Sequence, residues 1–328
     1  MRLSERKIVL VVRATRLDGL RKRFNTTSQA QFYVEHMNQD FGDYLTEDEH
    51  YKQQQIRVEH LLTGLGRVHT LQREHLPNFL FGPEDIVVVL GQDGLVANTL
   101  KYLEHQPVVG VNPDPKRWEG VLLPFQVNDL TRLIPEVLEQ KRPTQLISMA
   151  QAYLNNGQTL LGVNDIFIGP KTHTSSRYVL AWAGHSESQS SSGVIVSTGL
   201  GSTGWFRSIV TGAMGISNQL QVKTQKGSFK SHKHKAEGAE STPPNPIPQV
   251  PWDAGYLYFS VREPWPSKYS SAETTFGQIT VEQPLKLISQ MPENGVIFSD
   301  GIESDFLEFN AGSEVEIRIA DKKARLVQ

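Results

Sequence analysis

The chain of 328 residues contains no cysteine. This absence excludes disulfides, cysteine nucleophiles and thiolate metal sites, and it is typical of proteins in a reducing compartment. Long hydrophobic runs are lacking as well. The longest runs are only as long as a strand, so no segment is expected to span a membrane. The first run, residues 8–12, is also too short for a secretory signal. These features predict a cytoplasmic protein with no membrane partner.

An excess of charge of either sign is also missing. The sequence has 33 Lys and Arg residues against 35 Asp and Glu residues, which gives a formal net charge of −2. Without a basic field over the molecule, nucleic acid is not an expected partner. The length favours about two domains, since a domain usually has roughly 150 residues.

Strand and helix signals alternate over residues 1–142. Apolar runs at residues 8–12, 86–90 and 107–112 are rich in β-branched side chains, which is typical of strands covered on both faces. Residues 127–140 carry apolar side chains at helical spacing. Strands separated by helices predict a parallel sheet with right-handed crossovers. We therefore predict an N-terminal α/β nucleotide-binding domain with a Rossmann-like sheet.

From residue 143 onwards, short strand signals follow one another with turn residues between them, and helical signals are sparse. This pattern predicts a mostly β C-terminal domain over residues 143–312. For residues 313–328, a return to the first domain is one option. Residues 221–249 contain His-Lys-His-Lys, several prolines and almost no apolar side chains, so we expect a mobile basic loop there.

The most informative stretch is residues 86–94, where the run Ile-Val-Val-Val-Leu ends in Gly91-Gln92-Asp93-Gly94. The glycines allow a sharp turn and a close approach of a ligand to the backbone. Asp93 is expected at the carboxyl end of a parallel strand, where α/β sheets bind their ligands, and the next helix offers free N–H groups to an anion. The stretch thus predicts a phosphate-transfer site. The alternative is an ordinary βα turn in which Asp93 caps the helix.

Two arginines follow the first strand. Arg13 and Arg16 are candidate phosphate ligands, because a guanidinium group forms paired hydrogen bonds with phosphate oxygens. A solvated or salt-bridged surface pair is the alternative.

Four segments, taken in order, resemble the NAD kinase family. They are Gly91-Gln92-Asp93-Gly94, Asn164-Asp165, the strand and glycine loop of residues 193–205, and Asp300-Gly301. The match is closer to the mitochondrial-type NAD kinases and their bacterial relatives. It covers nearly the whole chain apart from the basic loop and part of an early helical stretch. Further segments that resemble this branch are Thr15-Arg16 and residues 107–115, 119–120, 167–169, 191–193, 259–264 and 306–312.

The resemblance implies the fold shared by NAD kinases and diacylglycerol kinases, an α/β domain followed by a β-rich domain that binds the acceptor dinucleotide. It also implies transfer of a γ-phosphoryl group from ATP, or from polyphosphate, to the 2′-hydroxyl of the adenosine ribose of NAD, which gives NADP. Asp93 matches the general base of this reaction. Mg²⁺ is expected to arrive with ATP, since no dedicated set of metal ligands is visible. A homodimer or a higher homo-oligomer is implied as well.

Ligand-binding roles are implied by the same resemblance. Gly91 and Gly94 would let the diphosphate approach the main chain. A second set matches positions that contact the acceptor dinucleotide: Asn164, Asp165, Gly201, Ser202, Thr203, Trp205, Ser208 and Asp300. The structural alternatives are a simple turn or a strand start at residues 164–165, a turn at 300–301, a plain flexible loop at 201–203, and a tryptophan that belongs to the core.

Several positions depart from the family pattern. Gln92 stands at the second glycine and Leu95 at the usual threonine, both near the phosphates. Asp165 is one methylene shorter than the family glutamate, Ser192 stands where many bacterial relatives carry an aspartate, and Gly204 replaces an alanine. If position 92 needs a positive φ, glutamine costs on the order of 1 kcal/mol there. Two alternatives therefore stay open: a dinucleotide-binding protein with weak or no kinase activity, and a kinase for another hydroxyl acceptor such as a sugar or a nucleoside.

Overall fold

A computed structural model describes residues 3–227 and 250–328 of the chain. They divide into two compact units. Unit 1 comprises the chain up to Ile147 together with Asp321–Gln328, and unit 2 comprises Ser148–Ala320.

Unit 1 alternates strands and helices. Its elements are β1 (Lys7–Val12), α1 (Arg16–Phe24), α2 (Thr27–His36), α3 (Phe41–Leu65), β2 (Arg67–Gln72), β3 (Ile86–Leu90), α4 (Asp93–Leu100), β4 (Pro107–Asn112), β5 (Phe125–Gln126) and α5 (Leu130–Leu138).

The sheet of unit 1 is parallel, with strands in the order β2-β1-β3-β4. Nearly every side chain of β1, β3 and β4 is buried, as expected for strands that helices cover on both faces. The three strands lie within one residue of the positions that the sequence predicts. Helices α3 and α5 pack on this sheet through residues such as Val58, Leu62, Leu130 and Ile134, all of which are fully buried. The predicted α/β character of the N-terminal domain is confirmed.

Helix α1 begins where the first strand has ended, and its start is fixed by a reciprocal cap. The hydroxyl oxygen of Thr15 accepts a hydrogen bond from the backbone N–H of Asp18 at 3.1 Å. The carboxylate of Asp18 in turn accepts one from the N–H of Thr15 at 3.1 Å. Such a capping box satisfies two backbone donors at the helix start, so Arg13 and Arg16 flank a well-defined turn.

Unit 2 is mostly β. Its elements are β6 (Thr144–Leu154, which begins in unit 1), β7 (Thr159–Gly162), β8 (Asp165–Pro170), β9 (Ser176–Trp182), β10 (His185–Ser191), β11 (Val194–Ser197), α6 (Trp205–Gly227), β12 (Leu257–Val261), β13 (Phe276–Ile279), β14 (Leu285–Ser289), β15 (Gly295–Ser299), β16 (Phe306–Glu308) and β17 (Glu314–Val327, which ends in unit 1).

Antiparallel pairing dominates unit 2. One sheet has the strand order β13-β12-β11-β8-β15-β16, and all of its pairs are antiparallel. Strands β10, β9, β14 and the first part of β17 form a second antiparallel series, and β6 and β7 pair antiparallel as well. Their inward side chains share one core, which includes Tyr178, Phe259 and Phe309. The predicted β-rich C-terminal domain is confirmed. Within unit 1, the last residues of β17 pair in parallel with β4, with Arg325 opposite Pro107.

The sequence pattern predicts a mostly β C-terminal domain with sparse helical signals, and it does not identify α6. This helix has 23 residues, and its first turns pack through Trp205 and Ile209 onto side chains of β8 and β15. It also includes residues 221–227, which the sequence analysis assigned to the basic loop. The rest of that loop, residues 228–249, lies outside the described residues.

Candidate functional site

Asp93 is the first residue of α4 and directly follows the turn after β3. Its side chain is half-buried. One carboxylate oxygen, Oδ1, accepts a hydrogen bond from the backbone N–H of Leu122 at 2.7 Å. Among the described residues, no hydrogen bond to the second oxygen, Oδ2, is found. The carboxylate is thus held in one orientation with one oxygen still able to accept a proton. The helix cap is Gln92 rather than Asp93, so the capping alternative does not describe this residue.

The backbone at position 92 is not strained. Gln92 has φ −124° and ψ 163°, an extended conformation that any residue adopts. The conformational energy that glutamine would cost at a positive φ therefore does not arise here. Gly94 is exposed, and a Cβ built on it meets nothing within 4 Å. Leu95, which stands at the family threonine, is buried, and its Cδ2 atom lies 2.9 Å from a Cβ built on Gly91. The start of α4 therefore has open space over its first turn.

Tyr51 of α3 connects the ends of the adjacent strands β1 and β3 through hydrogen bonds. Its hydroxyl accepts a hydrogen bond from the N–H of Arg13 at 3.1 Å and donates one to the carbonyl oxygen of Leu90 at 2.8 Å. Burial raises the pKa of Tyr51 to about 12, so the hydroxyl keeps its proton. This residue fixes the edge of the sheet that carries the glycine turn, and sequence reasoning missed it because nothing near Tyr51 in the chain indicates a site.

Arg13 and Arg16 both form ion pairs with α3. The Nη2 atom of Arg13 lies 2.8 Å from Oε1 of Glu47, and Arg16 pairs with Glu47 and, at 2.6 Å, with Asp43. Burial alone would raise the pKa of Glu47, but the hydrogen bonds from the two guanidinium groups hold it below its usual value. The Cδ atom of Arg13 also lies 3.8 Å from a Cβ built on Gly91. Arg13 thus borders the glycine turn, both arginines have protein partners in place, and their role as phosphate ligands stays a prediction.

Asp300 holds the segment that contains Asn164 and Asp165. Its carboxylate accepts hydrogen bonds from three consecutive backbone N–H groups, those of Val163 at 3.0 Å, Asn164 at 2.6 Å and Asp165 at 3.3 Å. Asp300 itself has φ +54°, and it forms a turn with Gly301. Within unit 2 the structure therefore brings together the Asn-Asp pair and the late aspartate that the sequence singled out. The contacts of Asp300 are those of a residue that shapes the turn.

The glycine loop packs on the same segment. The hydroxyl of Thr198 donates a hydrogen bond to the carbonyl oxygen of Val163 at 2.6 Å and accepts one from the N–H of Gly201 at 3.1 Å. A Cβ built on Gly201 comes within 1.9 Å of the carbonyl oxygen of Asn164, so only glycine allows this approach. Ser202 is buried and its hydroxyl is bonded to the carbonyl of Gly199 at 2.7 Å, whereas the side chain of Thr203 is exposed.

Trp205 lines a cavity of about 760 Å³ in unit 2. Its ring stacks on Phe167 with a centroid distance of 5.9 Å, and the guanidinium of Arg262 lies 5.4 Å from its centroid. Trp205 is half-buried, so it is not a fully enclosed core residue. Ser208 is exposed one turn further along α6. The cavity offers aromatic surface and a cation together, which suits a planar ligand that carries phosphate groups.

The buried carboxylate of Asp165 gives this segment a pH dependence. Burial, followed by the neighbouring charge of Asp300, raises the pKa of Asp165 from 3.8 to about 7. The folded chain therefore binds this proton more tightly than the unfolded chain. The tighter proton binding of Asp165 stabilises the folded chain. This stabilisation is complete at a pH below the pKa of Asp165 in the unfolded chain, and it is lost as the pH rises through about 7.

We expect Asp165→Asn to flatten the dependence of the free energy of unfolding on pH between 4 and 8, because the amide mimics the protonated acid. Each unit of pKa difference corresponds to about 1.4 kcal/mol. Urea denaturation of the wild type and the variant at several pH values measures the effect. Glu293→Gln, at an exposed position of unit 2, is the control and should leave the pH profile unchanged. A profile for Asp165→Asn that follows that of the wild type would contradict this assignment.

Two observations concern the described residues 3–227 and 250–328 only. No group of three His, Asp or Glu side chains is arranged as a set of metal ligands there. In the same part of the chain, no helix combines the length and the apolar character that crossing a membrane requires.

No protein-family model matches the sequence, and no curated protein matches it in sequence. Solved structures do match the fold. An NAD kinase from Archaeoglobus fulgidus in complex with ATP has a TM-score of 0.52 at 16% identity, over 98% of this chain and 93% of that chain. Yeast NADH kinase in complex with NADH has a TM-score of 0.54 at 12% identity, over 99% of this chain and 84% of that chain. These likenesses agree with the family that the four sequence segments resemble, and the chain has the NAD kinase fold.

Proposed function

We propose that this chain is a kinase that transfers the γ-phosphoryl group of ATP to the 2′-hydroxyl of the adenosine ribose of NAD, giving NADP. The observation that carries the proposal is the carboxylate of Asp93, which stands at the carboxyl end of a central strand with Oδ1 held by the N–H of Leu122. In α/β sheets this is the edge where ligands bind. The fold of the chain is that of proteins whose names specify NAD and NADH kinases.

In the proposed reaction, the 2′-oxygen of the ribose forms a bond to the γ-phosphorus. Oδ2 of Asp93 accepts the proton that this hydroxyl group loses. The bond between the γ-phosphorus and the oxygen that bridges to the β-phosphate breaks, and its electron pair leaves with ADP. A phosphoryl transfer of this kind needs mainly positioning and charge stabilisation. The start of α4, where Gly94 is exposed, and the guanidinium groups of Arg13 and Arg16 are the candidates for phosphate contacts. Mg²⁺, which would enter with ATP, would supply charge neutralisation for the phosphates.

For the acceptor, we propose the segment around Asn164 and Asp165 and the loop Gly201–Thr203. Their close packing through Gly201 and Thr198 supports a common role, because the position of one fixes the other. The side-chain amide of Asn164 and the carboxyl of Asp165 are suited to a ribose hydroxyl or to an adenine amino group. One of the similar structures holds NADH, so both redox forms of the dinucleotide are candidate acceptors.

A dinucleotide-binding protein with weak or no transfer activity is the second candidate. It is favoured by Gln92, whose side chain forms no capping hydrogen bond and stands beside the proposed phosphate contacts. The extended backbone at this position removes strain as an objection, so the remaining question is steric. A kinase for another hydroxyl acceptor, such as a sugar or a nucleoside, is the third candidate, and the shorter carboxylate of Asp165 motivates it.

One assay separates the three candidates. Purified protein is incubated with MgATP or polyphosphate and with NAD, NADH, or a panel of sugars and nucleosides, and NADP(H) is measured with a coupled dehydrogenase. We expect NADP(H) to form. Thermal stabilisation by NAD without any product would support the binding protein, and ADP release with another acceptor alone would support the third candidate. Increased activity of Gln92→Gly would identify the glutamine side chain as the limiting feature.

Trp205→Ala is expected to raise the KM for the dinucleotide about 10-fold with little change in kcat, because loss of an aromatic stacking partner typically costs about 1–3 kcal/mol of binding. Steady-state kinetics at saturating ATP measures it. Trp205→Phe keeps an aromatic face and should retain most of the affinity. An unchanged KM in Trp205→Ala would remove this ring from the acceptor site.

A further inference from the structure

The hydrogen bond that orients Asp93 comes from a part of the chain that is 29 residues away. Its donor, Leu122, belongs to residues 113–122, which follow β4 and are called the 113–122 segment here. The carbonyl oxygen of Leu122 lies directly on Gly110 of β4, because a Cβ built on that glycine would be 1.9 Å from it. Gly120, just before, has φ +68°, a left-handed conformation that favours glycine. The N–H of Leu122 is therefore placed by tight packing against the sheet.

Several bonds fix the first part of the same segment. The side-chain amide of Asn112 donates a hydrogen bond to the carbonyl oxygen of Trp118 at 2.9 Å and accepts one from the N–H of Asp114 at 3.0 Å. A ring nitrogen of His50, on α3, lies 2.9 Å from the carbonyl oxygen of Pro113. The segment thus leaves β4 as a compact loop that is attached both to the strand and to helix α3.

Arg117 provides a further attachment of the segment. Its Nη2 and Nη1 atoms contact the two carboxylate oxygens of Asp43 at 2.6 and 3.2 Å, which is the paired geometry that makes arginine–carboxylate contacts directional. Hydrogen bonds from Arg117 and Arg16 hold the pKa of Asp43 well below its usual range, so the pair is charged at every pH at which the protein would be assayed. Asp43 lies in the first turn of α3, the helix that also supplies Tyr51 to the ends of β1 and β3.

We propose that Arg117 is a positioning residue for the phosphoryl transfer: by anchoring the 113–122 segment to Asp43, it holds the N–H of Leu122 on Oδ1 of Asp93 and keeps Oδ2 as the proton acceptor. This inference rests on the proposed function. Arg117 does not contact Asp93, so its effect on that carboxylate passes through the segment. Arg117 shares the carboxylate of Asp43 with Arg16, a proposed phosphate contact, and an effect that passed through Arg16 would raise the KM for ATP instead. A base that rotates freely spends less time in the reactive orientation, and misplacement of a reacting group by about 1 Å is enough to cost about 10²-fold in rate.

The test compares Arg117→Gln with Arg142→Gln, a matched control. Both arginines belong to unit 1, each forms a close ion pair, Arg117 with Asp43 and Arg142 with Glu136, and their side chains are 25% and 22% exposed. Arg117 has a second, longer contact of 3.7 Å to Asp114 within its own segment. We expect Arg117→Gln to lower kcat about 10-fold while the KM values for ATP and dinucleotide change less than about 2-fold, the pattern of an interaction that matters only in the transition state. Arg117→Lys, which keeps the charge but not the paired geometry, should recover part of kcat. Arg142→Gln should leave kcat unchanged.

Hydrogen exchange of the Leu122 amide gives a readout that does not depend on activity. We expect exchange at this amide to be about 10-fold faster in Arg117→Gln than in the wild type and unchanged in Arg142→Gln, since protection reports local opening. Unaltered kcat together with unaltered exchange in Arg117→Gln would overturn the inference, even if Asp93→Asn were inactive. A raised KM at constant kcat would overturn it too, because the segment would then act in binding. Failure of the proposed function shows differently, as a wild type that forms no NADP(H) or as full activity in Asp93→Asn.

Discussion

Asp93→Asn is expected to lower kcat for NAD phosphorylation by about 10²–10⁴-fold, the range that a positioned general base contributes. The side-chain amide keeps an oxygen that can accept the hydrogen bond from the N–H of Leu122, so the start of α4 should remain as it is. What the substitution removes is the ability of the second atom to accept a proton. The KM values for ATP and dinucleotide should therefore change little, because the lost interaction forms only as the 2′-hydroxyl is deprotonated.

Initial rates with a coupled NADP-dependent dehydrogenase measure this effect, and thermal unfolding shows whether the variant is folded. The melting temperature should lie within a few degrees of that of the wild type, since the change is nearly isosteric and half-exposed. A variant that kept more than about a tenth of the wild-type kcat would be inconsistent with a general base, which supplies at least about 10²-fold.

Gly201→Ala should have the second largest effect, and it should act on both stability and acceptor binding. The new Cβ would come within 1.9 Å of the carbonyl oxygen of Asn164 and 2.6 Å of its carbon, and both are backbone atoms that cannot turn away. Overpacking at a buried position usually costs about 1–3 kcal/mol of unfolding free energy. Separation of the glycine loop from the Asn164 segment should also raise the KM for the dinucleotide about 10-fold or more, because both elements would lose their common alignment.

Gly212→Ala is the matched control for this substitution. Gly212 also belongs to unit 2, but it lies within α6, where a Cβ meets nothing within 4 Å. Alanine there should raise the stability by up to about 1 kcal/mol through its better helix propensity, and it should leave the KM as it is. Chemical denaturation and steady-state kinetics on both variants give the comparison. If Gly201→Ala matched Gly212→Ala in both measurements, the close contact at Asn164 would not constrain the site.

Sequence patterns predicted the parallel sheet of unit 1 because its strands are buried on both faces. A strand such as β3, with five consecutive buried β-branched or leucine side chains, fits the interior of a parallel sheet that helices cover on both faces. The sequence also indicated the glycine turn at the end of β3, since Gly91 and Gln92 are all that separates the strand from Asp93. Local signals were sufficient here because one element determines both the fold and the position of the acid.

Local signals failed where tertiary contacts decide the structure. Strand β10 reads His-Ser-Glu-Ser-Gln-Ser-Ser, with no apolar residue, and it forms because β9 pairs along its whole length. Helix α6 contains Gly212 and Gly215, which disfavour a helix, and its start is fixed instead by the packing of Trp205 on Phe167. An isolated helix gains little from propensity alone, so such an element is not visible in its own sequence.

The candidate site shows the same division. The residues found from sequence are those that stand in short motifs, such as Asp93, Asn164 and Gly201. Sequence reasoning did not single out Tyr51 and Arg117, which lie 39 and 74 residues from their hydrogen-bond partners Leu90 and Asp43. Their side chains are ordinary in type, and only the contact identifies them. A contact between residues so far apart in the chain cannot be predicted from a local pattern in a single sequence.

The most direct test of the account is a crystal structure of the protein with NAD bound. The proposed chemistry predicts that the 2′-oxygen of the adenosine ribose lies about 3 Å from Oδ2 of Asp93, within hydrogen-bond reach, while Oδ1 remains bonded to the N–H of Leu122. A bound dinucleotide whose 2′-oxygen lies beyond the reach of Asp93, with no water molecule bridging the two, would contradict the role of Asp93 as the base.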